Sequence, residues 1–355
     1  MIVRTPIGFL ARHVARIAAA RLTWRKRPST FVYDEVVRGT VWACADLGAF
    51  SRPLPRLPGV EGVVLMEDRH PQFFLSFRDF APAAPTGLNR HGPLQCLQTQ
   101  QDLRELVAGL RGQGLRVAVG FWNYGGWWPL PPAPWLRRHR ELHRMPESSD
   151  LDPFVRIQPE GIEYAEYIGR QYERLRQTFG FDGLMLGDGF CGYGSFMLPD
   201  LYADRVDAVP RWTEFYRKVA SWVHRSGGVL LSYDRMGFGY EEAKRHGADY
   251  RALARAGLDV LVYQAYPQAW GGFWLEHHRD RFGIDACVSN LTTVRDALRG
   301  TASRLLYTVE LGDSIERWVA RPAQTRRATE ALDPLADGRF LVWANDLFAR
   351  LPPAR

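Results

Sequence analysis

Residues 181–189 of the chain read FDGLMLGDG, a short apolar run enclosed by glycine and aspartate. Such a run, bounded by turn-forming residues, is typical of a β-strand that is buried on both faces of a parallel sheet. We therefore predict a strand over residues 183–186. Asp188 follows this strand directly, so it is predicted to lie at the C-terminal edge of the sheet.

The same rhythm extends along the chain on both sides of this strand. Short apolar runs alternate with longer segments of helical periodicity, which indicates parallel strands joined by crossover helices. Strands are predicted over residues 40–44, 62–66, 115–121, 183–186, 229–232, 260–263, 305–309 and 340–343, and helices over residues 101–111, 162–179, 212–225, 250–256 and 293–298. Several of these helices end in glycine just before the next strand, as in TFGFDGLML and RSGGVLLS. Glycine there supplies the left-handed backbone conformation of a helix C-terminus.

Eight strands are the number that closes a (β/α)8 barrel, or TIM barrel, and 355 residues accommodate one such α/β barrel with long loops. We predict a single barrel domain over residues 31–355, preceded by a basic helical extension over residues 1–30. Residues 69–98 and 122–160 are interpreted as loops that decorate the barrel. A doubly wound open sheet is disfavoured, because no GxGxxG motif or P-loop follows the first strand.

Composition narrows the classes of partner. The net charge is +7, but nearly all of the basic residues are arginine, interspersed with acids, so nucleic acid is not expected as a partner.

The cysteines are far apart and show no CxxC spacing, so neither a zinc knuckle nor a disulfide framework is expected. No apolar stretch approaches the roughly 20 residues of a membrane span, and residues 1–24 lack a signal-peptide core, which makes the cytoplasm the expected location. The sequence leaves the oligomeric state open.

The residues that follow the predicted strands are unusually acidic and aromatic. In strand order they are Asp46, then Glu67 and Asp68, then Trp122, Asn123 and Tyr124, then Asp188, then Tyr233 and Asp234, then Gln264 and Tyr266, then Glu310, and finally Asn345 and Asp346. Acids grouped at one end of a barrel repel one another and are partly desolvated, a cost that a functional role would offset. Barrel enzymes build their sites at this end, and paired carboxylates there suit chemistry on a glycosidic bond.

The segment FDGLMLGDGF resembles the fourth-strand motif of retaining glycosidases with a (β/α)8 barrel, in which an Asp-Gly pair opens the strand and an Asp closes it. Alpha-glucosidase-type, alpha-galactosidase-type and endodextranase-type enzymes carry variants of this pattern. The resemblance covers residues 181–190 and identifies no single family. It implies a glycoside hydrolase in which Asp188 is the nucleophile. Several such families place their acid/base after the sixth strand, where this chain has Gln264 and no carboxylate.

The proton donor must therefore come from another strand. Glu310 is the first candidate, because strands four and seven are the positions at which the cellulase-like barrel clan carries its two glutamates. Asp234, which follows the fifth strand, is the second candidate catalytic acid. Asp182 is expected to be structural and to bond the backbone at the entrance of its strand. The alternative for each acid is a buried carboxylate paired with an arginine such as Arg235 or Arg317.

Aromatic residues cluster in the loops after the third and sixth strands, for example in NYGGWWPLPPAPW. Aromatic faces pack on sugar rings while amide and carboxylate groups bond hydroxyls, so we predict a carbohydrate site. The predicted substrate-binding residues are Glu67, Asp68, Trp122, Asn123, Tyr124, Trp127, Trp128, Tyr233, Gln264, Tyr266 and Trp270. The alternative is that the tryptophans only fill space beneath proline-rich loops.

No metal or other cofactor is implied by the sequence. His139 and His143 are spaced i, i+4, but HExxH is absent and the neighbouring arginines indicate a solvated helix. The three lysines, Lys26, Lys218 and Lys244, follow no predicted strand, which argues against a Schiff-base aldolase. The leading hypothesis is a retaining glycosidase acting on an oligosaccharide or polysaccharide. The alternatives are a catalytically silent carbohydrate-binding barrel, a transglycosylase or a sugar isomerase in the same cleft.

Overall fold

The computed structural model describes residues 39–46, 59–66, 100–121, 139–142, 152–158, 160–187, 189–191, 205–234, 237–268, 282–310, 312–313, 318–319 and 321–342. Within these ranges, eight parallel strands form a closed barrel in sequential order, and the first strand pairs with the last. The predicted fold class, an α/β (β/α)8 barrel, is confirmed. The extension predicted over residues 1–30 lies outside the described residues.

All eight predicted strands are present. They are β1 Thr40–Asp46, β2 Gly62–Met66, β3 Arg116–Phe121, β4 Gly183–Leu186, β5 Val229–Tyr233, β6 Val260–Tyr263, β7 Arg304–Val309 and β8 Gly338–Leu341. Burial of both faces explains why their sequences are continuously apolar, as in β4, whose residues are all buried. The last strand begins two residues before its predicted start, because Gly338 and Arg339 pair with β7 despite their poor strand propensity.

Helices pack on the outside of the barrel. They are α1 Gln100–Gly112, α2 Tyr164–Phe179, α3 Val209–Arg225, α4 Tyr240–Arg245, α5 Tyr250–Arg255, α6 Ile284–Leu298 and α7 Pro322–Leu332. The prediction that glycine ends the helices is confirmed at Gly180, Gly227 and Gly257, whose φ angles are 83°, 71° and 107°. The start predicted for α2 was wrong, because Ile162–Glu163 pairs with Arg156–Ile157 in a short antiparallel ladder before the helix begins.

Alternate residues of each strand face two different cores. On β5, Leu231 and Tyr233 belong to the cluster inside the barrel, whereas Leu230 belongs to the larger cluster between strands and helices. On β7, Leu306 lies inside and Leu305 outside. Side chains alternate along a strand, so the pattern can be continued to the residue that follows each strand. It then shows which of these side chains lie on the side of the barrel interior.

Three aspartates hold the N-terminal end of the barrel, and we call them the floor aspartates: Asp182, Asp259 and Asp337. Each precedes an even-numbered strand, and its Oδ2 accepts a hydrogen bond from a backbone amide of the strand before it. The bonds run from Val117 to Asp182, from Leu230 to Asp259 and from Leu305 to Asp337, over 3.1, 2.7 and 2.7 Å. The structural role predicted for Asp182 is thus confirmed.

Glu61 holds the equivalent place before β2, where its backbone amide donates to Val41. Its side chain forms an ion pair with Arg304 of β7 over 2.8 Å. Within the described ranges, no helix combines the length and hydropathy that a membrane crossing requires.

Candidate active site

Many predicted site residues fall on segments that the structure does not describe. Those outside the described residues are Asp188, Glu67, Asp68, Trp122, Asn123, Tyr124, Trp127, Trp128 and Trp270. The predicted residues that are described are Glu310, Asp234, Tyr233, Gln264 and Tyr266. All five are buried at the C-terminal ends of β5, β6 and β7. The structure therefore brings this group together at the end where barrel enzymes carry their sites.

Glu310 directly follows β7 and is 7% exposed. Its position continues the inward alternation of Leu306 and Thr308. Its Oε2 accepts a hydrogen bond of 2.9 Å from the backbone amide of Gln268, in the segment after β6. Thr308 supports the same segment, since its hydroxyl donates to the carbonyl of Ala265 over 3.0 Å. A buried carboxylate is thus fixed against the loop of the neighbouring strand.

Asp234 directly follows β5, is 1% exposed, and is bonded to Gln264 at the end of β6. The amide of Gln264 donates to Asp234 Oδ1 over 2.8 Å, and Gln264 Nε2 donates to the Asp234 carbonyl over 2.9 Å. The second bond requires a donor, which an ionised carboxylate cannot supply. This explains in physical terms why position 264 carries glutamine rather than an acid.

Cys287 lies in the first turn of α6, within electrostatic reach of both acids. The thiol is 4% exposed. Burial raises its pKa most, and the nearby negative charges of Glu310 and Asp234 raise the pKa of this thiol further. Both carboxylates lie beside the end of β6, because Asp234 accepts the backbone amide of Gln264 and Glu310 accepts that of Gln268. No sequence pattern indicated this position of Cys287.

The loop after β5 is fixed to β6 and α6 through Gly237. The Gly237 carbonyl accepts hydrogen bonds from the Tyr263 hydroxyl over 2.6 Å and from Asn290 Nδ2 over 3.1 Å. Burial raises the pKa of Tyr263 most, and the neighbouring Cys287 and Asp234 raise it further, so its hydroxyl stays a donor. At a φ of +62°, a Cβ on Gly237 would lie 2.3 Å from the Gln264 carbonyl oxygen, so only glycine fits.

The residues on both sides of Asp188 are described, although Asp188 itself is not. The amide of Gly187 continues the β3–β4 pairing by donating to Phe121 over 2.7 Å, and Gly189 has a φ of 84°. Phe190 is fully buried and stacks on Phe215 of α3 at 5.9 Å between ring centroids. The chain is therefore anchored immediately before and after position 188.

Tyr233 and Tyr266 belong to the cluster of side chains inside the barrel, where they are 1% and 4% exposed. The Tyr233 ring packs edge-on against Phe340 at a centroid distance of 5.4 Å. Aromatic character at these strand ends thus also serves packing inside the barrel.

His139 does not lie on the solvated helix that the sequence predicts. His139 precedes the 3-10 helix Arg140–Leu142 and is buried, with Nδ1 3.0 Å from Glu141 Oε1, because this short turn packs beside α2. His143 lies outside the described residues. Among the described residues, no three His, Cys, Asp or Glu side chains are grouped so that they could hold a metal ion.

Comparison with known proteins addresses the fold. No protein-family model matches the chain, and no curated protein matches it in sequence. The structure is similar to that of a hyperthermostable endo-1,4-beta-D-mannanase from Thermotoga petrophila RKU-1, with 13% identity, a TM-score of 0.50, and coverage of 86% of this chain and 88% of that one.

Two further structures are similar at a lower level. An alpha-amylase from Geobacillus thermoleovorans is 10% identical, with a TM-score of 0.48 and coverage of 87% of this chain and 71% of that one. A class V chitinase from Pseudomonas fluorescens Pf-5 is 12% identical, with a TM-score of 0.49 and coverage of 85% and 94%. The endo-mannanase supports the fold that the sequence predicts: the chain is a (β/α)8 barrel similar in structure to that enzyme.

Proposed function

We propose that the chain is a glycoside hydrolase that cleaves an oligosaccharide or polysaccharide at the C-terminal mouth of its barrel. The observation that carries this proposal is Glu310, a carboxylate that follows β7, is 7% exposed, and accepts the backbone amide of Gln268 at Oε2. Burying an acid at this position costs free energy. Chemistry that needs carboxylates at this end of a barrel offsets that cost.

In the proposed reaction, Asp188 is the nucleophile and Glu310 is the proton donor. Asp188 has this role by resemblance of its segment, and the described neighbours Gly187 and Phe190 anchor the chain around it. Glu310 suits proton donation because it continues the inward alternation of Leu306 on β7, and because its Oε2 is fixed by the backbone amide of Gln268.

Asp234 is the second candidate for the acid, but its geometry favours a supporting role. It continues the alternation of Leu230 and therefore belongs to the helix side of β5. Its Oδ1 already accepts the backbone amide of Gln264. We propose that Asp234 positions the end of β6 rather than donating the proton.

The proposed mechanism is retaining, with a covalent glycosyl intermediate on Asp188 that water then hydrolyses. Retaining pairs have carboxyl groups about 5 to 5.5 Å apart, whereas inverting pairs are about 6.5 to 9.5 Å apart. The substrate is proposed to contact aromatic and polar groups around the mouth, which comprise Glu67, Asp68, Trp122, Asn123, Tyr124, Trp127, Trp128, Tyr233, Gln264, Tyr266 and Trp270.

A screen of aryl-glycosides and of cell-wall and storage polysaccharides tests the proposal. With a substrate in hand, Asp188→Asn and Glu310→Gln should each lower kcat by at least about 100-fold. Asp207→Asn and Glu330→Gln make the same chemical changes at exposed positions and should leave kcat unchanged. The anomer formed first, followed by NMR, distinguishes retention from inversion. Full activity in both Asp188→Asn and Glu310→Gln would refute the assignment.

A catalytically silent carbohydrate-binding barrel is the second candidate. The glutamine at the end of β6 favours it, because that amide is used to hold Asp234 and no acid is present there. In this case glycans would bind with measurable Kd while no bond is cleaved. A transglycosylase would instead form longer products when an acceptor sugar is added.

A further inference from the structure

Gln268 lies in the segment after β6, and its hydrogen bonds reach both ends of the connection that follows β7. Its backbone amide donates to Glu310 Oε2 over 2.9 Å, at the start of that connection. Its side-chain oxygen accepts the backbone amide of Arg321 over 2.7 Å, at the end of the connection. One residue therefore joins the two ends of a segment to which it does not belong.

The side chain of Gln268 is also fixed from a third direction. Gln268 Nε2 donates to the hydroxyl of Thr325 over 3.0 Å, and Thr325 is a buried residue in the first turn of α7. Between the two ends, Gly312–Asp313 pairs with Trp318–Val319 in a short antiparallel ladder. The amide group of Gln268 thus bonds the start of α7 just beyond this ladder.

These contacts constrain the orientation of Glu310. A backbone N–H is a directional donor, and its direction is set by the conformation of the residue that carries it. Because the Gln268 side chain is bonded at both of its polar atoms, rotation of this residue would break contacts with α7. The Gln268 N–H is consequently held toward Oε2 of Glu310. Because this N–H needs an acceptor, Oε2 remains unprotonated and Oε1 is the oxygen that gains or loses the proton.

We propose that Gln268 is a positioning residue for Glu310, and that it sets the carboxylate's orientation by anchoring its own backbone amide to the first turn of α7. The effect of Gln268 on catalysis rests on the proposed function. The anchoring of Gln268 does not rest on it, because the bonds to Glu310, Arg321 and Thr325 are present whatever the reaction is.

Gln268→Met provides the test, because methionine keeps the length of the side chain and removes both of its hydrogen bonds. Hydrogen exchange of the Gln268 amide and of the amides in the Gly312–Asp313 and Trp318–Val319 ladder should become about tenfold faster or more. Gln268→Glu should restore slow exchange, since it can accept from Arg321 and from the Thr325 hydroxyl. Gln177→Met, at an exposed glutamine of α2 bonded to Glu173, is the matched control and should change nothing.

Kinetics give the second readout. If a glycoside substrate is found, Gln268→Met should lower kcat by about 10- to 100-fold with little change in KM, because misplacement of an acid affects the chemical step. Unchanged exchange in Gln268→Met would overturn the positioning inference even if the protein is a glycosidase. Faster exchange without any cleavable glycoside would refute the proposed function and leave the anchoring role of Gln268 intact.

Discussion

Gln264→Glu replaces the amide group of a buried side chain by a carboxyl group. The amide donates a hydrogen bond at this place, whereas an ionised carboxylate can only accept one. The wild-type Nε2 donates to the Asp234 carbonyl over 2.9 Å, and the residue is 4% exposed. An ionised carboxylate at this place would face that carbonyl oxygen and lie beside the Asp234 carboxylate. Burial, the Asp234 carbonyl dipole and the Asp234 carboxylate all disfavour the charged form of the introduced side chain. The pKa of this carboxyl should therefore rise above the unfolded value of about 4.3.

The sign and size of the effect follow from this shift. Below about pH 4 the introduced carboxyl is protonated in both folded and unfolded chains, and its O–H can donate to the Asp234 carbonyl. As the pH rises from the unfolded pKa through the folded pKa, the unfolded state loses its proton more readily than the folded state, and stability falls. Each unit of upward shift costs about 1.4 kcal/mol at high pH, so a shift of two units would cost about 3 kcal/mol.

Urea unfolding at pH 5 and at pH 8, each compared with wild type, measures this loss. Gln171→Glu on α2 is the matched control, because Gln171 is 2% exposed but its side-chain oxygen already accepts from Arg174 over 2.8 Å. That arginine would stabilise the new charge. The reasoning is refuted if Gln264→Glu is no less stable at pH 8 than at pH 5 relative to wild type, or if the control shows the same loss.

Tyr164→Phe should leave stability unchanged or raise it by about 1 kcal/mol in thermal unfolding, because the hydroxyl is buried and has no hydrogen-bond partner among the described residues. Gly237→Ala should cost at least about 2 kcal/mol more than Gly227→Ala, since both have positive φ but only Gly237 would place a Cβ against backbone. A similar loss at both sites would contradict the clash expected with the Gln264 carbonyl. Asp259→Ala should cost about 1 to 3 kcal/mol in urea unfolding by leaving a buried β5 amide without its acceptor, and Asp259→Asn, which keeps an acceptor oxygen, should recover most of it.

The barrel could be predicted from sequence because each strand is buried on both faces. Burial of this kind leaves a continuous apolar run, such as GLML, and glycine after a helix marks the end of that helix. The short ladder before α2 could not be predicted. Its residues Arg156–Ile157 and Ile162–Glu163 pair over a few positions only, so no periodicity develops, and Ile162 fits the pattern of the following helix equally well.

The candidate site was predictable to the extent that it depends on strand ends. Glu310 and Asp234 follow strands and are buried there, as the positions of their strands indicate. Gln268 could not be found, because its contact with Glu310 joins residues far apart in sequence and no local pattern marks it. The electrostatic influence of the acids on Cys287 likewise has no local sequence signal. The sequence showed that position 264 carries no carboxylate. It could not show that the Gln264 side chain bonds the backbone of Asp234.

The floor aspartates divide the barrel into two-strand modules. The side chain of Asp182 ties β4 to β3, that of Asp259 ties β6 to β5, and that of Asp337 ties β8 to β7. β4 and β5, and likewise β6 and β7, are joined at this end by the backbone carbonyls of Asp182 and Asp259 and not by the side chains of these residues. New chain termini placed between modules would therefore leave each tie within a continuous stretch of chain. Termini placed inside a module would make the same bond depend on the two ends of the rearranged chain. Circular permutants opened between β6 and β7 should consequently refold more readily than those opened between β5 and β6.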